Sequence, residues 1–158
     1  MRDLNRFDIR FIDEEEWEDA MSLAYKTFLQ FDASMFSEEG IQHFRDFLSD
    51  NFLKKMFVSG EYQVVAAYCD GRMIGVISLR NSTHISLLFV DEEYHRRGVG
   101  RALIMALGDY AKLKLHSKEL TVNAAPYATE FYHRVGFTDD GPLTSRDGIM
   151  YTPMRYIL

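Results

Sequence analysis

The stretch YHRRGVGRAL, Tyr94–Leu103, places two glycines one residue apart directly before a helical pattern. Gly98 and Gly100 remove side chains where the helix begins, and the free N–H groups and the positive end of the helix dipole at that point favour an anion. The apolar residues that follow recur at helical spacing: Val99, Ala102, Leu103, Ala106, Leu107 and Tyr110. Positive charge comes from three arginines of the stretch: Arg96, Arg97 and Arg101. The stretch therefore predicts a site for phosphate or pyrophosphate.

The segments on either side of this helix, predicted over 98–115, are predicted strands. THISLLFVD (83–91) precedes the helix, and its apolar run over 87–90 predicts burial on both faces of the strand. KELTVNA (118–124) follows the helix. A strand–helix–strand crossover makes a right-handed parallel pair, and ligands lie beyond the carboxyl ends of such strands. We therefore expect Val90, Asn123 and the glycine loop around one spot.

The remaining segments predict antiparallel strands and further helices. DIRFID (8–13) alternates like a strand, and Asp13 with Glu16 forms a helix start. A second helix begins near Ser37, and residues 61–80 form a hairpin about Asp70-Gly71. Asn81-Ser82 makes a second turn, YATEFYHRVGF (127–137) a last helix, and two short strands follow near Thr138 and in GIMYTPMRYI (148–157). The expected fold is α/β with a mixed α+β sheet, mostly antiparallel with one central parallel strand pair joined by a helix. No repeat or linker interrupts residues 1–158, which predicts a single domain.

Composition excludes several classes of function. The chain has 158 residues, 27% of them charged, and a net charge of −6, which argues against binding to nucleic acid or an anionic membrane and favours a cationic partner. One cysteine, Cys69, allows no intramolecular disulfide. The N-terminus lacks a signal-peptide pattern and no stretch approaches the roughly 18 apolar residues of a membrane span, so we expect a cytoplasmic protein. No His, Cys, Asp and Glu spacing indicates a metal site.

The glycine loop does not fit the two common nucleotide motifs. A phosphate-binding P-loop needs G-x-x-x-x-G-K-[ST], which is absent here. A dinucleotide fingerprint needs G-x-G-x-x-G/A directly after a strand, whereas Leu103 stands at the last position and the strand ends several residues earlier.

The loop instead resembles the [Q/R]-x-x-G-x-[G/A] signature of the GNAT superfamily of N-acetyltransferases, here FVDEEYHRRGVGRALI (89–104). The segment TVNAAPYATEFYHRVGF (121–137) resembles the second half of the family's site, and the tail DGIMYTPMRYIL (147–158) resembles a subset of these enzymes. The order of elements agrees over essentially the whole chain. The first motif position is His95 instead of Gln or Arg, and histidine can still donate a hydrogen bond.

The resemblance implies acetyl-CoA as the acyl donor, with no metal, and a role for each matched position. Backbone N–H groups of the loop would hold the pyrophosphate: Arg96, Arg97, Gly98, Val99, Gly100, Arg101 and Ala102. The end of the preceding strand would pair with the pantetheine arm through Leu88, Phe89 and Val90, and an N–H near Val90 would face the thioester oxygen. Asn123 would contact the arm, and Tyr132 would be the general acid that protonates the leaving thiolate. The reaction expected is direct attack of a primary amine in a ternary complex.

The general base and the acceptor are left open by the sequence. Period-2 counting places His84 and Ser86 on one strand face with Leu88 and Val90, and His84 is the better candidate base. The acceptor pocket would draw on an aromatic and acidic region: Phe28, Phe31, Phe36, Phe44 and Phe47, with Asp32, Glu38, Glu39 and Asp46. These residues suit a cationic amine, or they are core and solvated helix faces. Small polyamines, aminoglycosides, amino acids, peptides and proteins stay open as acceptors, as does a homodimer.

Other interpretations predict different behaviour. A noncatalytic CoA-binding regulatory domain would bind the cofactor without turnover, and a structural module would not bind it at all. Tyr132 would then be a core aromatic residue beside Phe131, and Asn123 a turn residue at a strand end. We expect Cys69 to be a buried small hydrophobe, and His116 and His133 to be exposed helix residues.

Overall fold

The computed structural model describes residues 7–158. The first six residues lie outside the described residues, and with them the beginning of the segment in which we found no signal-peptide pattern. The helices are α1 (Trp17–Phe31), α2 (Glu38–Leu48), α3 (Asn51–Val58), α4 (Val99–Lys114) and α5 (Thr129–Val135). The strands are β1 (Asp8–Phe11), β2 (Tyr62–Cys69), β3 (Arg72–Arg80), β4 (His84–Val90), β5 (Glu119–Ala124), β6 (Thr138–Asp139), β7 (Thr144–Arg146) and β8 (Ile149–Ile157).

The strands form one mixed sheet in the order β1-β2-β3-β4-β5-β8-β6, and β7 pairs with the first residues of β8. β4 and β5 are parallel and joined by α4, while the other strand pairs among residues 7–158 are antiparallel. This confirms the expected fold class, a mixed α/β fold with one central parallel pair. β7 was not predicted from the sequence.

Helices cover both faces of the sheet. On one face α1 and α3 pack against β2, β3 and β4 around the fully buried Phe28, Tyr62 and Val76. On the other face α4 packs through Leu103, Ile104 and Leu107. The sheet is therefore the middle of three layers.

Local sequence signals explain the element ends. Asp13 and Glu16 form the predicted capping box, which leads through a short 3-10 turn into α1. Ser37 caps α2 by accepting a hydrogen bond from the N–H of Gly40 at 3.0 Å. The β2–β3 turn has positive φ at both Asp70 (52°) and Gly71 (77°), as a type I′ turn requires.

A bulge in β4 changes the predicted placement of its side chains. Leu87 pairs with Ser78 and Ile85 pairs with Leu79, so Ser86 is an extra residue. Ile85 consequently packs on the α4 side, while Leu87 packs on the α1 side. Period-2 counting across Ser86 is therefore wrong. His84, opposite Ile85, does not share a face with Leu88 and Val90, which pack on the α4 side.

The predicted burial of residues 87–90 on both faces is also wrong. Leu87 and Phe89 are buried, but Leu88 and Val90 are only half-buried. Leu88 and Val90 face the α4 side, where they pack against the core without being fully covered by it.

Candidate active site

The parallel strands separate soon after they meet. β4 and β5 pair at His84 with Thr121 and at Ile85 with Val122. From Ser86 onward, β4 has no strand partner on that side among residues 7–158. The cleft that results is lined by both strands. The bulge at Ser86 lies where the two strands begin to separate. A bulge bends its strand, so it explains why β4 turns away from β5 at this point.

The end of β4 turns free backbone groups toward this cleft. The N–H of Asp91 donates to the carbonyl of Ile74 at 2.8 Å, so Asp91 is hydrogen-bonded to β3. Along an antiparallel strand, the backbone groups of successive residues point alternately toward the paired strand and away from it. The N–H and C=O groups of Leu88 and Val90 therefore point away from β3, into the cleft. Leu88 and the N–H of Val90 thus form a strand edge without a strand partner among the described residues where the pantetheine arm was predicted to pair, while the carbonyl of Val90 accepts a hydrogen bond from His95.

The glycine loop begins where this edge ends. His95 lies next to the strand end, with Nε2 2.6 Å from the carbonyl oxygen of Val90. Because a carbonyl oxygen only accepts, Nε2 is the protonated nitrogen and donates this hydrogen bond. The ring of His95 also packs on Phe31, with 4.9 Å between ring centroids, which joins the loop to the C-terminal turn of α1.

The first turn of α4 leaves its amides free. The first intrahelical bond runs from the N–H of Ala102 to the carbonyl of Gly98 at 3.0 Å. Within residues 7–158, no backbone acceptor meets the N–H groups of Val99, Gly100 and Arg101. Positive φ at Arg96 (62°) and Gly98 (81°) turns the backbone before them, as in nests of N–H groups that bind anions.

The charge around the loop is also uncompensated. Arg96, Arg97 and Arg101 make no ion pair with any residue that the structure describes. The neighbouring acidic turn is paired elsewhere, since Arg72 lies 3.1 Å from Glu93. The loop therefore combines positive charge with free backbone N–H groups, and its role as an anion site stays a prediction.

Gly100 has a packing role that the sequence did not indicate. A β-carbon at this position would lie 3.1 Å from Cζ of Phe131 and 3.9 Å from Cγ2 of Val90. The absence of a side chain lets the start of α4 lie against both α5 and the end of β4. Gly98 has open space instead and is needed for its positive φ.

A cavity of about 440 Å³ lies in and beside the cleft. It brings together several predicted site residues: Leu88, Phe89, Asn123 and Tyr132. Val90, the last residue of β4, and the loop residues 96–102, which follow the strand, lie outside its lining. The predicted cofactor residues thus divide into an anion site at the helix start and a cavity that follows the strand edge.

Tyr132 lies in the wall of this cavity with its ring held between two neighbours. Its ring centroid is 5.2 Å from those of both Phe131 and Phe137, and the residue is 6% exposed. Its hydroxyl has no hydrogen-bond partner in the described part of the chain and is not sealed from the cavity. Burial, with a smaller effect of the Asp32 charge, raises the pKa of Tyr132, which keeps the phenol protonated.

Asp32 and Tyr127 form a polar pair in the same cavity. The hydroxyl of Tyr127 donates to Oδ1 of Asp32 at 2.6 Å. Burial raises the pKa of Asp32 to about 6, and the hydrogen bond from Tyr127 opposes this rise. The sequence analysis placed Asp32 only in a general acidic region and missed Tyr127. One signal was present, because Asp32 stands at the C-terminus of α1, where a helix dipole disfavours a carboxylate.

His84, the predicted candidate base, also lines the cavity. Its Nδ1 lies 2.9 Å from the hydroxyl of Thr121, and burial together with Arg80 lowers its pKa. Ser86 is committed to a ring of three hydroxyls, 2.8 Å from both Tyr62 and Ser78. The hydroxyl of Ser86 is therefore occupied by hydrogen bonds that stabilise the bulge.

The predicted acceptor pocket is partly assembled. Four of its five phenylalanines line the cavity: Phe28, Phe36, Phe44 and Phe47. Phe31 packs on His95 instead, and Glu38, Glu39 and Asp46 are not part of the lining. The sequence analysis missed the contribution of β7 and β8: Arg146, Asp147, Ile149, Met150 and Tyr151.

Other expectations concern residues away from the cleft. Cys69 is buried at 3% exposure, as predicted. His133 is exposed on α5, whereas His116 is exposed but follows the end of α4. Residues 7–158 contain no group of three or more His, Cys, Asp or Glu side chains arranged to hold a metal ion. None of the helices described combines the length and apolar character needed to cross a membrane.

Comparison with known proteins gives a consistent family. A family model described as an acetyltransferase (GNAT) domain matches residues 32–158. An uncharacterized N-acetyltransferase of Escherichia coli, YafP, is 44% identical over 75 residues, which is 48% of this chain and 45% of that protein. The aligned part thus spans about half the length of this curated relative.

Solved structures share the fold over nearly the whole chain. A GCN5-related N-acetyltransferase of Rhodopseudomonas palustris has a TM-score of 0.80 at 27% identity, covering 96% of this chain and 95% of that one. The PaiA N-acetyltransferase of Thermoplasma acidophilum, solved in complex with coenzyme A, has a TM-score of 0.77 at 21% identity, covering 97% and 99%.

Proposed function

The chain belongs to the GNAT acetyltransferase family and is a transferase, and we propose that it transfers the acetyl group of acetyl-CoA to a primary amine. The observation that carries this proposal is the continuity of three features. The free amides at the start of α4 lie next to the end of β4, where Leu88 and Val90 have no strand partner on the cleft side among the described residues. Leu88 and Tyr132 line the same cavity. An anion site, a strand-like arm and an acid in this order match the parts of an acyl-CoA.

The residues present fit such a ligand. The pyrophosphate would be held by the N–H groups of Val99, Gly100 and Arg101, with the three free arginines around it. The pantetheine arm would pair with the backbone of Leu88 and Val90, and Asn123 on β5 would contact it from the other wall. Acetyl-CoA supplies the activated thioester carbonyl.

The chemical step follows from the groups that face the cavity. The neutral amine nitrogen attacks the thioester carbon, forming the C–N bond, and negative charge develops on the carbonyl oxygen. The N–H of Val90, which points into the cleft, would donate a hydrogen bond to that charge. When the C–S bond breaks, Tyr132 gives its proton to the sulfur. The ordinary pKa values of a thiol and a phenol are about 8.5 and about 10, so the transfer is uphill by about 1.5 pKa units, and a proton lost by the amine restores the phenol.

Protons balance over the whole reaction. An ammonium loses one proton to become the attacking amine and a second after the C–N bond forms. One of these compensates for the proton given to sulfur, and the other is released. His84 is a neutral imidazole in the cavity, because burial and Arg80 lower its pKa, and it is the proposed acceptor of the released proton.

Calorimetric titration with acetyl-CoA tests this function, with ATP and NAD as comparison ligands. We expect micromolar binding of acetyl-CoA alone. Gly100→Trp should abolish it, and Arg96→Glu with Arg101→Glu should weaken it without burying a new side chain, since both arginines are exposed. Lys118→Glu, an exposed charge reversal after α4, is the matched control. No binding to the unmodified protein would overturn the proposal.

A panel of amines with a thiol-release assay then tests the transfer. Release of free thiol that depends on both acetyl-CoA and an amine is the expected result. Binding of acetyl-CoA without release for any amine would support the noncatalytic interpretation instead.

A further inference from the structure

The carboxylate of Asp32 stands in a place that the local structure disfavours. The residue is 7% exposed and lies at the C-terminus of α1, whose last turn contains no basic residue. A helix C-terminus repels negative charge, and removal from water disfavours it further. Buried carboxylates in proteins are ordinarily paired with a cation or coordinate a metal.

The described protein supplies Asp32 with one hydrogen bond and no counter-ion. Tyr127 donates to Oδ1, and no Lys, Arg or His among residues 7–158 forms an ion pair with the carboxylate. Lys26 on the same helix is directed to Asp91 instead, at 3.8 Å. The missing charge is therefore expected from outside the chain.

The second carboxylate oxygen is open to the cavity. Oδ2 of Asp32 has no protein donor among the described residues. It is also accessible, because Oε1 of Gln63 is the side-chain oxygen of the described residues that is both fully buried and without a hydrogen bond. Asp32 belongs to the cavity lining together with Tyr132. A ligand in the cavity can thus reach Oδ2 close to the proposed acid.

Aromatic rings share the lining of the cavity with Asp32. Phe28 and Phe36 pack 5.2 Å apart, Phe28 and Phe44 pack 4.2 Å apart, and all three line the cavity with Asp32. A carboxylate beside aromatic faces is the environment that binds an ammonium through charge, hydrogen bonds and cation–π attraction. A neutral polar ligand would leave the charge of Asp32 uncompensated.

We propose that Asp32 is the counter-ion for the acceptor's ammonium group, with Tyr127 holding the carboxylate through Oδ1 while Oδ2 faces the acceptor. This rests on the proposed function and narrows its substrate class to amines that are protonated at neutral pH. Neutral arylamines and hydroxyl compounds of the same size are poor ligands of the site. Burial holds the pKa of Asp32 at about 6, so the group is mostly ionised at neutral pH and available to a cation.

Binding of a matched pair of probes tests the proposal without turnover. Benzylamine and benzyl alcohol have similar shape, but only the first is cationic at pH 7.5. Calorimetry in the presence of CoA is expected to give roughly 10- to 100-fold tighter binding of benzylamine, the range for a hydrogen bond to a charged group. Equal binding of the two probes by the unmodified protein would overturn the proposal, whatever the variants do.

The variants identify the carboxylate responsible. Asp32→Asn keeps the shape and removes the charge, and it should lower the preference for benzylamine to within about threefold while leaving CoA binding unchanged. Tyr127→Phe keeps the carboxylate and should retain most of the preference. Asp109→Asn, an exposed change on α4 outside this cavity, should leave it intact. A full preference in Asp32→Asn would assign the cation site to another residue and contradict the proposal.

Measurements with and without CoA separate this proposal from the function on which it rests. Preference for benzylamine without any binding of CoA would keep the Asp32 site and overturn the acetyltransferase proposal. Binding of CoA without preference for the cation would have the opposite meaning.

Discussion

Nε2 of His95 donates a hydrogen bond of 2.6 Å to the carbonyl oxygen of Val90, and this bond fixes the glycine loop to the end of β4. The carbonyl it occupies is one of the backbone groups that face the cleft. The N–H of Val90, on the same side of the strand, is left for a ligand. The bond therefore sets the distance between the proposed pyrophosphate site and the proposed oxyanion donor.

Removing this bond should weaken acetyl-CoA binding. His95→Ala loses a neutral hydrogen bond of about 1 kcal/mol and the packing on Phe31, so we expect a Kd roughly 5- to 20-fold higher. His95→Gln can still donate and should recover most of the affinity. Calorimetry with acetyl-CoA measures both. Equal weakening by Gln and Ala would show that the ring, and not the donor, holds the loop.

Tyr132→Phe should slow the reaction without preventing cofactor binding. Loss of a general acid typically costs about 10²–10⁴-fold in kcat. The buried ring environment between Phe131 and Phe137 accepts phenylalanine, so CoA binding and thermal stability should change little. Thiol release under saturating benzylamine and acetyl-CoA measures kcat. Unchanged kcat would remove Tyr132 from the mechanism.

The pH profile gives a second test of the same residue. Because burial raises the pKa of Tyr132 above its usual value near 10, the phenol stays protonated throughout the ordinary assay range. No alkaline loss of kcat below about pH 10 is then expected from this group. A limb near pH 8 that disappears in Tyr132→Phe would contradict the buried, protonated phenol.

Features that depend on local sequence were predictable. The type I′ turn at Asp70-Gly71, the cap at Ser37 and the glycines at the start of α4 each follow from a few neighbouring residues. The crossover from β4 through α4 to β5 followed from element order alone. Apart from the crossover, which depends on the order of whole elements, these features have a physical cause within about one turn of the chain.

Features that depend on distant pairs were not predictable. The bulge at Ser86 is stabilised by Tyr62 and Ser78, which pack beneath it, and it reversed the predicted face of His84. The bond between Asp32 and Tyr127 joins residues 95 positions apart. Neither segment alone indicates that the other will be its partner, so the polar pair in the cavity appears only after folding.

Asp32→Asn should stabilise the protein near neutral pH. Asp32 has an ordinary pKa of 3.8 when unfolded and about 6 when folded. The raised value means that ionisation opposes folding, so stability of the unmodified protein falls as pH rises from about 4 to 6 and then levels off. Two pKa units correspond to ~3 kcal/mol, and we expect an increase of ~1–3 kcal/mol in the free energy of unfolding at pH 7.5.

Urea denaturation at two pH values measures this effect. The advantage of Asp32→Asn should be present at pH 7.5 and small at pH 4, where the folded carboxyl is protonated and the unfolded one is only roughly half ionised. If Asp32→Asn is less stable than the unmodified protein at pH 7.5, the ionised carboxylate does not lower the free energy of unfolding. Saturating benzylamine should reduce the difference, since a bound cation compensates the charge.

The turn between β7 and β8 packs directly on the start of α2. A β-carbon on Gly40 would lie 2.5 Å from the carbonyl oxygen of Gly148, and the N–H of Ser37 donates to that oxygen at 3.3 Å. Residues beyond each side of this contact line the cavity, among them Phe44 on α2 and Ile149 on β8. The two glycines therefore set how closely this wall of the cavity, the proposed acceptor site, approaches α2.

Gly148→Ala should disturb this wall and the acceptor more than the cofactor. The new β-carbon would overlap the hydroxyl of Ser37 and lie 2.8 Å from the N–H nitrogen of Gly40, so the turn must move away from α2. We expect kcat/KM for benzylamine to fall roughly 10- to 100-fold, with the Kd of acetyl-CoA changed less than about threefold. Steady-state kinetics and calorimetry measure the two effects.

Gly71→Ala is the matched control, because Gly71 has nearly the same φ, 77° against 79° for Gly148, but nothing within 4 Å of its added β-carbon. Both variants carry the cost of a left-handed alanine, about 1–2 kcal/mol of stability. Only Gly148→Ala adds the collision with α2. If the two variants lose acceptor kcat/KM equally, backbone strain explains the loss and the packing of the turn on α2 does not shape the acceptor site.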